Sequence, residues 1–169
     1  MTGPQLINLP IFSDPRGSFI KAFDSRLLSE SGITFRVQQS NLVINNDRGT
    51  LRGLHSQAKD SAEAKFVRVV HGSIYDVIVD IRPASESYLQ HKSYYLSQQN
   101  NCALYIPRGF AHGYQTLEES TIVSYASDNF FSPASEVGYR YDDPVLAIEW
   151  PLEVASISAK DLTWPLLSS

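Results

Sequence analysis

The stretch Ser73-Ile-Tyr-Asp-Val-Ile-Val-Asp-Ile-Arg82 constrains this chain more than any other. Successive side chains of a strand point to opposite faces, so Tyr75, Val77, Val79 and Ile81 share one face. Ile74, Asp76, Ile78, Asp80 and Arg82 share the other. One face is continuously β-branched or aromatic, and the other carries carboxylates. Such a strand separates two environments: an apolar core, and either solvent or a polar cavity.

The same signal recurs along the chain. Residues 64–70, rich in valine, precede this strand across His71-Gly72, a turn signal. Tyr94–Leu96, Leu104–Ile106 and Thr121–Tyr125 read as further short strands. Ser/Gln/Asn or Gly/Pro clusters separate them at intervals of about ten residues, the spacing of a sandwich or barrel. Helix signals are few. Asp24–Glu30 predicts one short helix, and Ser158-Ala-Lys-Asp161 starts another, with Ser158 as N-cap and Asp161 at its third position. The pattern predicts an all-β antiparallel jelly roll with a few short helices, folded as one domain over residues 1–169 and holding a polar pocket.

Charge and cysteine usage narrow the partners. The net charge is −4 over 169 residues, which leaves no basic field for a nucleic acid or an anionic membrane. A local basic cluster can still bind a small anion. Cys102 is the single cysteine and lies in an apolar run, so it reads as a small core residue in a reduced compartment. No apolar stretch approaches the roughly 18 residues of a membrane span, and Met-Thr-Gly-Pro-Gln is not a signal peptide, so the expected location is cytoplasmic.

His55, in Leu51-Arg-Gly-Leu-His55, is the leading candidate for proton transfer, because imidazole titrates near neutrality. Plain alternation puts Leu51, Gly53 and His55 on one face and Arg52 and Leu54 on the other. A lone histidine is often structural, so the residue type alone does not decide. His112, in Ile106-Pro-Arg-Gly-Phe-Ala-His-Gly113, is either a satisfied loop histidine or, with Arg108, an anion contact. His71 and His91 sit beside turns and read as surface residues. A metal site on a jelly roll usually needs two histidines two residues apart, and the position two after His55 is Gln57, so no metal is expected. No serine sits in a nucleophile elbow and no glycine-rich phosphate loop occurs. Any phosphate must therefore be held by side chains such as Arg16, Arg52, Lys65 and Arg108.

Nine segments in order resemble the dTDP-4-dehydrorhamnose 3,5-epimerase family. They are Asp14-Pro-Arg-Gly17, Gln39-Ser-Asn41, Leu51–His55, Ala64-Lys-Phe-Val67, Asp76–Arg82, Ile106–Gly113, Asp142-Asp-Pro144, Glu149-Trp-Pro151 and Ser158–Asp161. The resemblance implies a cupin-type jelly roll that uses neither metal nor cofactor. It implies a homodimer with exchange of an N-terminal segment, and a nucleoside diphosphate 4-keto-6-deoxy sugar as substrate, in deoxysugar biosynthesis for a surface polysaccharide or glycosylated metabolite. A base removes a proton alpha to the ketone, and reprotonation from the opposite face inverts the carbon. By matching motif, His55 is the base, Asp161 orients it, and Lys65 stands near the ketone oxygen. Arg16, Gln39, Asn41, Arg52, His112 and Lys160 are expected to line the substrate site, and Asp76 to orient His112.

Two positions depart from the family pattern. Asp128-Asn-Phe-Phe-Ser-Pro133 aligns Phe131 with the tyrosine expected to supply the opposing proton, and phenylalanine has none to give. Lys21 stands where a glutamate near the nucleotide end is usual. The first departure predicts inversion at a single carbon, with C-5 placed ahead of C-3 on no physical ground. Full 3,5-epimerisation, with water, Tyr125 or Tyr139 as donor, is the alternative within the class. A non-catalytic sugar-nucleotide-binding protein is the alternative outside it.

Overall fold

A computed structural model of the chain describes residues 3–167. Its strands are β1 (Gln5–Asn8), β2 (Ile11–Asp14), β3 (Gly17–Ile20), β4 (Gln39–Ile44), β5 (Leu51–Gln57) and β6 (Lys65–His71). They continue with β7 (Ser73–Asp80), β8 (His91–Ser97), β9 (Cys102–Ile106), β10 (Phe110–Thr116), β11 (Ile122–Ser127) and β12 (Glu136–Gly138). Two short helices join them, α1 (Ser25–Glu30) and α2 (Ala159–Leu162). Two five-stranded sheets, β1-β9-β6-β11-β4 and β12-β5-β10-β7-β8, face each other as an antiparallel jelly roll of the cupin type, and β2-β3 forms a separate hairpin. None of the described helices is long and apolar enough to cross a membrane.

Three apolar clusters hold the layers. Between the sheets, Val67 and Val69 of β6 and Val123 of β11 meet Ile74 and Ile78 of β7 and Tyr114 of β10. Outside the first sheet, Ile7, Leu9, Leu28 and Phe35 of the N-terminal region cover Phe66, Ala103 and Tyr105. Outside the second sheet, the segment after β12 lays Leu146, Ile148 and Trp150 over Leu54, Val77, Val79 and Ala111. Burying each such side chain is worth about 1.5–3 kcal/mol, so the terminal coverings are integral to the fold.

That outer covering changes the reading of β7. The strand was expected to have one face toward solvent or a polar cavity. Instead both faces are buried, the Ile74–Ile78 face between the sheets and the Val77–Val79 face under the C-terminal segment. The carboxylates survive burial because each is partnered. Asp80 accepts from the Arg82 guanidinium and from the Ser85 and Ser87 hydroxyls, and Asp76 faces His112. His91 is also not a free surface residue, since its Nδ1 bonds the Leu146 carbonyl at 3.0 Å. Cys102 is buried, as its apolar surroundings predicted, and burial pushes its thiol up.

The helix signals are realised closely. Asp24 caps α1 through its side chain, and Ser158 caps α2, accepting from the Asp161 amide at 3.1 Å.

The decisive local feature is a bulge in β5. His55 pairs with His112, but Arg52 pairs with Tyr114, so three steps along β5 match two along β10. One extra residue reverses the alternation on one side of it. Arg52 therefore shares the inner face with His55, against the expectation that it would point the opposite way, and Leu54 turns outward. Gly53 takes φ +114°, a conformation that side chains resist, and a Cβ there would lie 2.6 Å from the Gly113 Cα. Gly53→Ala is expected to destabilise the fold by roughly 3 kcal/mol in urea unfolding, well beyond an ordinary surface change. A change below 0.5 kcal/mol would show that the bulge tolerates a side chain.

Candidate active site

Between the sheets, at the end where the apolar core gives way, lies a cavity of about 620 Å³, a size typical of small-ligand sites. The pairing registers explain what lines it. Cross-strand pairing puts His55 and His112 side by side on the inner face of the second sheet, and Tyr114, two residues on, shares that face. On the first sheet, β6 and β11 pair Val67 with Tyr125 and Lys65 with Ser127. The cavity thus has Arg52, His55, His112 and Tyr114 on one wall and Lys65, Val67, Val123 and Tyr125 on the other.

The short helix α2 closes one side. Its approach is set by the Leu51 amide bonding the Ser156 carbonyl at 2.8 Å, next to a Thr50–Ser156 bridge. Asp161 then projects into the barrel, its side chain 3% exposed, with Oδ1 2.5 Å from His55 Nε2 and Oδ2 3.4 Å from the Gly53 amide. Burial raises the Asp161 carboxyl. The His55 contact, the Gly53 amide and the Ser158 hydroxyl outweigh it and hold the group below the usual 3.8. An ionised carboxylate only accepts, so His55 Nε2 is the donor of this hydrogen bond. A second pair lies behind it, His112 Nε2 at 2.9 Å from Asp76 Oδ2.

Lys65 stands 3.3 Å from Glu63, and Lys160 of α2 stands 2.6 Å from Glu136 of β12. Two phenols share the cavity. Burial pushes Tyr114 up to about 12, and its hydroxyl donates to Asn45 at 3.3 Å. Burial, then the Glu63 carboxylate, also push Tyr125 up, against the pull of Arg52, so both phenols keep their protons at neutral pH.

The expected residues divide clearly. His55, Lys65, Asp161, Arg52, His112 and Lys160 converge on the cavity. Gln39 and Asn41 fall in the cross-strand rows of Lys65 and Tyr125, but on edge strand β4 and outside the lining. Arg16 is not brought in: it sits on the β2-β3 hairpin, its side chain 89% exposed and paired with Asp14. Lys21 pairs with Asp24 at 3.0 Å, away from the cavity.

Phe131 also departs from expectation. It is 53% exposed, lies outside the cavity lining, and offers its backbone amide to Gln39. The phenol on the wall opposite His55 is Tyr125, one of the alternative donors that the sequence offered. Tyr139, the other tyrosine considered as a donor, packs outside the second sheet. Tyr114 and Asn45 escaped sequence reasoning, although Tyr114 follows His112 by two residues and so had to share its face. Among the described residues, no three His, Cys, Asp or Glu side chains converge as metal ligands.

The model of the family described as dTDP-4-dehydrorhamnose 3,5-epimerase matches residues 1–169. The enzyme of that name from Methanothermobacter thermautotrophicus is 37% identical over 167 residues, spanning 97% of this chain and 89% of its own. The crystal structure of a dTDP-4-dehydrorhamnose 3,5-epimerase from Bacillus anthracis, with TDP and PPi bound, superposes with a TM-score of 0.94. Its identity is 39%, covering 97% of this chain and 94% of that one. A dTDP-4-dehydrorhamnose 3-epimerase from Streptomyces niveus is 33% identical over 150 residues, covering 88% of this chain and 72% of its own. The chain belongs to the dTDP-4-dehydrorhamnose 3,5-epimerase family, a family of sugar-nucleotide epimerases.

Proposed function

We propose that this enzyme inverts both C-3 and C-5 of a nucleoside diphosphate 4-keto-6-deoxy sugar, with dTDP-4-keto-6-deoxyglucose as the substrate to try first. The observation that carries this reading is a carboxylate-held imidazole and a protonated phenol on opposite walls of one cavity. His55 Nδ1 takes the proton alpha to the ketone. The electron pair passes to the ketone oxygen, and the Lys65 ammonium offsets the enolate charge. Tyr125 returns a proton to the opposite face as the enolate collapses. His55 is left protonated and Tyr125 ionised, and exchange with solvent restores both. Asp161 stabilises the imidazolium and fixes its tautomer. Arg52, His112 and Lys160 hold the substrate.

Single-carbon inversion was expected from Phe131. Tyr125 lines the cavity and Phe131 does not, and this supports inversion at both carbons instead. Deuterium incorporation from heavy water, read by NMR at both carbons, tests the choice. Exchange and inversion at C-3 and C-5 are expected. Exchange confined to one carbon after long incubation would restore the single-carbon reading, and no exchange at all would leave a binding protein. Tyr125→Phe should lower kcat by about 10²-fold or more, and His55→Asn should remove nearly all exchange. Phe131→Tyr should change kcat less than about twofold, since its ring lies outside the cavity.

Asp161 also gives a pH signature. Its folded pKa is depressed, so the stability that it contributes is present above about 3.8 and is lost as pH falls below that value. Acid unfolding of Asp161→Asn should show a shallower loss in this window than the unsubstituted protein. Identical acid limbs would show that the contact with His55 contributes nothing to folding.

We infer further a homodimer in which the β2-β3 hairpin reaches a second copy. The exposed rings of Phe12 and Phe19 and the stranded position of Arg16 support this. Light scattering should give twice 18.9 kDa. A monomer at micromolar concentration with full activity would refute it.

A further inference from the structure

Five basic side chains line the cavity, and four of them face a carboxylate: His55 with Asp161, Lys65 with Glu63, His112 with Asp76, and Lys160 with Glu136. Arg52 is different. Among the described residues its only side-chain hydrogen bond runs from Nε to Oδ1 of Asn45, at 2.8 Å. Asn45 is 1% exposed. The same Oδ1 accepts the Tyr114 hydroxyl at 3.3 Å, while Nδ2 donates to the Thr121 carbonyl at 3.0 Å. The Thr121 bond fixes the orientation of the amide, because only its NH₂ group can donate.

The consequence is electrostatic. A carboxylate at this position would aim Arg52 equally well, but would cancel much of its charge. A neutral amide oxygen aims the guanidinium and leaves the charge intact. With Nε occupied, the two terminal nitrogens remain free to form a fork toward an anion.

We infer that Asn45 is a positioning residue that holds Arg52 as the one uncompensated cation of the cavity, so that Arg52 takes the diphosphate of the substrate. The inference rests on the sugar-nucleotide reading, with the diphosphate on Arg52, and adds the residue that prepares that place. The sugar ring then lies toward the compensated groups, where an uncancelled positive charge would compete with Arg52 for the diphosphate and shift the binding register.

The test uses dTDP as the probe. Asn45→Asp preserves shape, adds one charge beside Arg52 and gives up the Thr121 bond, a loss that an Arg52→Gln background shares. It should weaken dTDP binding about tenfold in calorimetry, the scale of one partly screened charge pair. KM for the sugar nucleotide should rise in step, with kcat within about twofold and a flatter dependence of dTDP affinity on salt. In an Arg52→Gln background the same substitution should change dTDP affinity less than twofold. If Asn45→Asp does not fold, Asn45→Ser, too short to reach Arg52, supports the same comparison, with a loss expected only when Arg52 is present. Unchanged dTDP affinity, or equal losses in both backgrounds, would overturn the inference and reduce Asn45 to a brace for the Thr121 backbone. Failure of the unsubstituted protein to bind dTDP would refute the sugar-nucleotide reading instead.

Discussion

The close approach of β5 to β10 at Gly53 and Gly113 governs the rest of the cavity. The two backbones meet where neither strand has a side chain: a Cβ on Gly53 would meet the Gly113 Cα, and one on Gly113 would meet the Arg52 carbonyl and the Leu54 side chain. That contact permits the extra residue in β5, and the extra residue turns Arg52 inward beside His55. It also points the Gly53 amide at Asp161. A regular strand would have sent the guanidinium into the covering of the outer face, among Leu54 and Leu146, where a charge has no counterpart. Packing and chemistry thus have a common origin in two residues that contribute no side chain.

Much of this was legible in the order of residues, and the exceptions have physical causes. The period of two over residues 73–80 announced a strand, and Ser158 with Asp161 announced a capped helix. Those are local signals, set by neighbours within a few positions. Burial of both faces of β7 was not local. It depends on a segment some seventy residues later, whose apolar residues look like ordinary loop content until they are laid over the sheet. The inward turn of Arg52 was hidden because a bulge is visible only against the partner strand. The place of Phe131 was hidden for a different reason. A motif position says which residue aligns, but whether that side chain enters the cavity depends on where the chain leaves β11, and it leaves before Phe131.

The cavity is lined by basic side chains backed by carboxylates although the protein as a whole is acidic. Asp76, Glu63 and Asp161 are each almost wholly buried behind the base or ammonium that they serve. What a ligand meets is therefore the basic member of each pair, held in orientation by a partner that it does not touch. Burying an ion pair is costly unless both members are well hydrogen bonded, so this arrangement favours rigid geometry over maximum stability.

The C-terminal segment supplies the partner of His55, and this has a consequence for how the molecule comes into being. Among the described residues all twelve strands precede residue 139, whereas Asp161 arrives more than twenty residues later. On the ribosome, every strand of both sheets is made before the carboxylate that completes the proposed base. The nascent barrel thus has a cavity whose imidazole lacks its counterion. A product that stops after Trp150 but before Asp161 would keep the covering of the second sheet and lack only the partner of His55, so folding and completion of the proposed site are separable events in time.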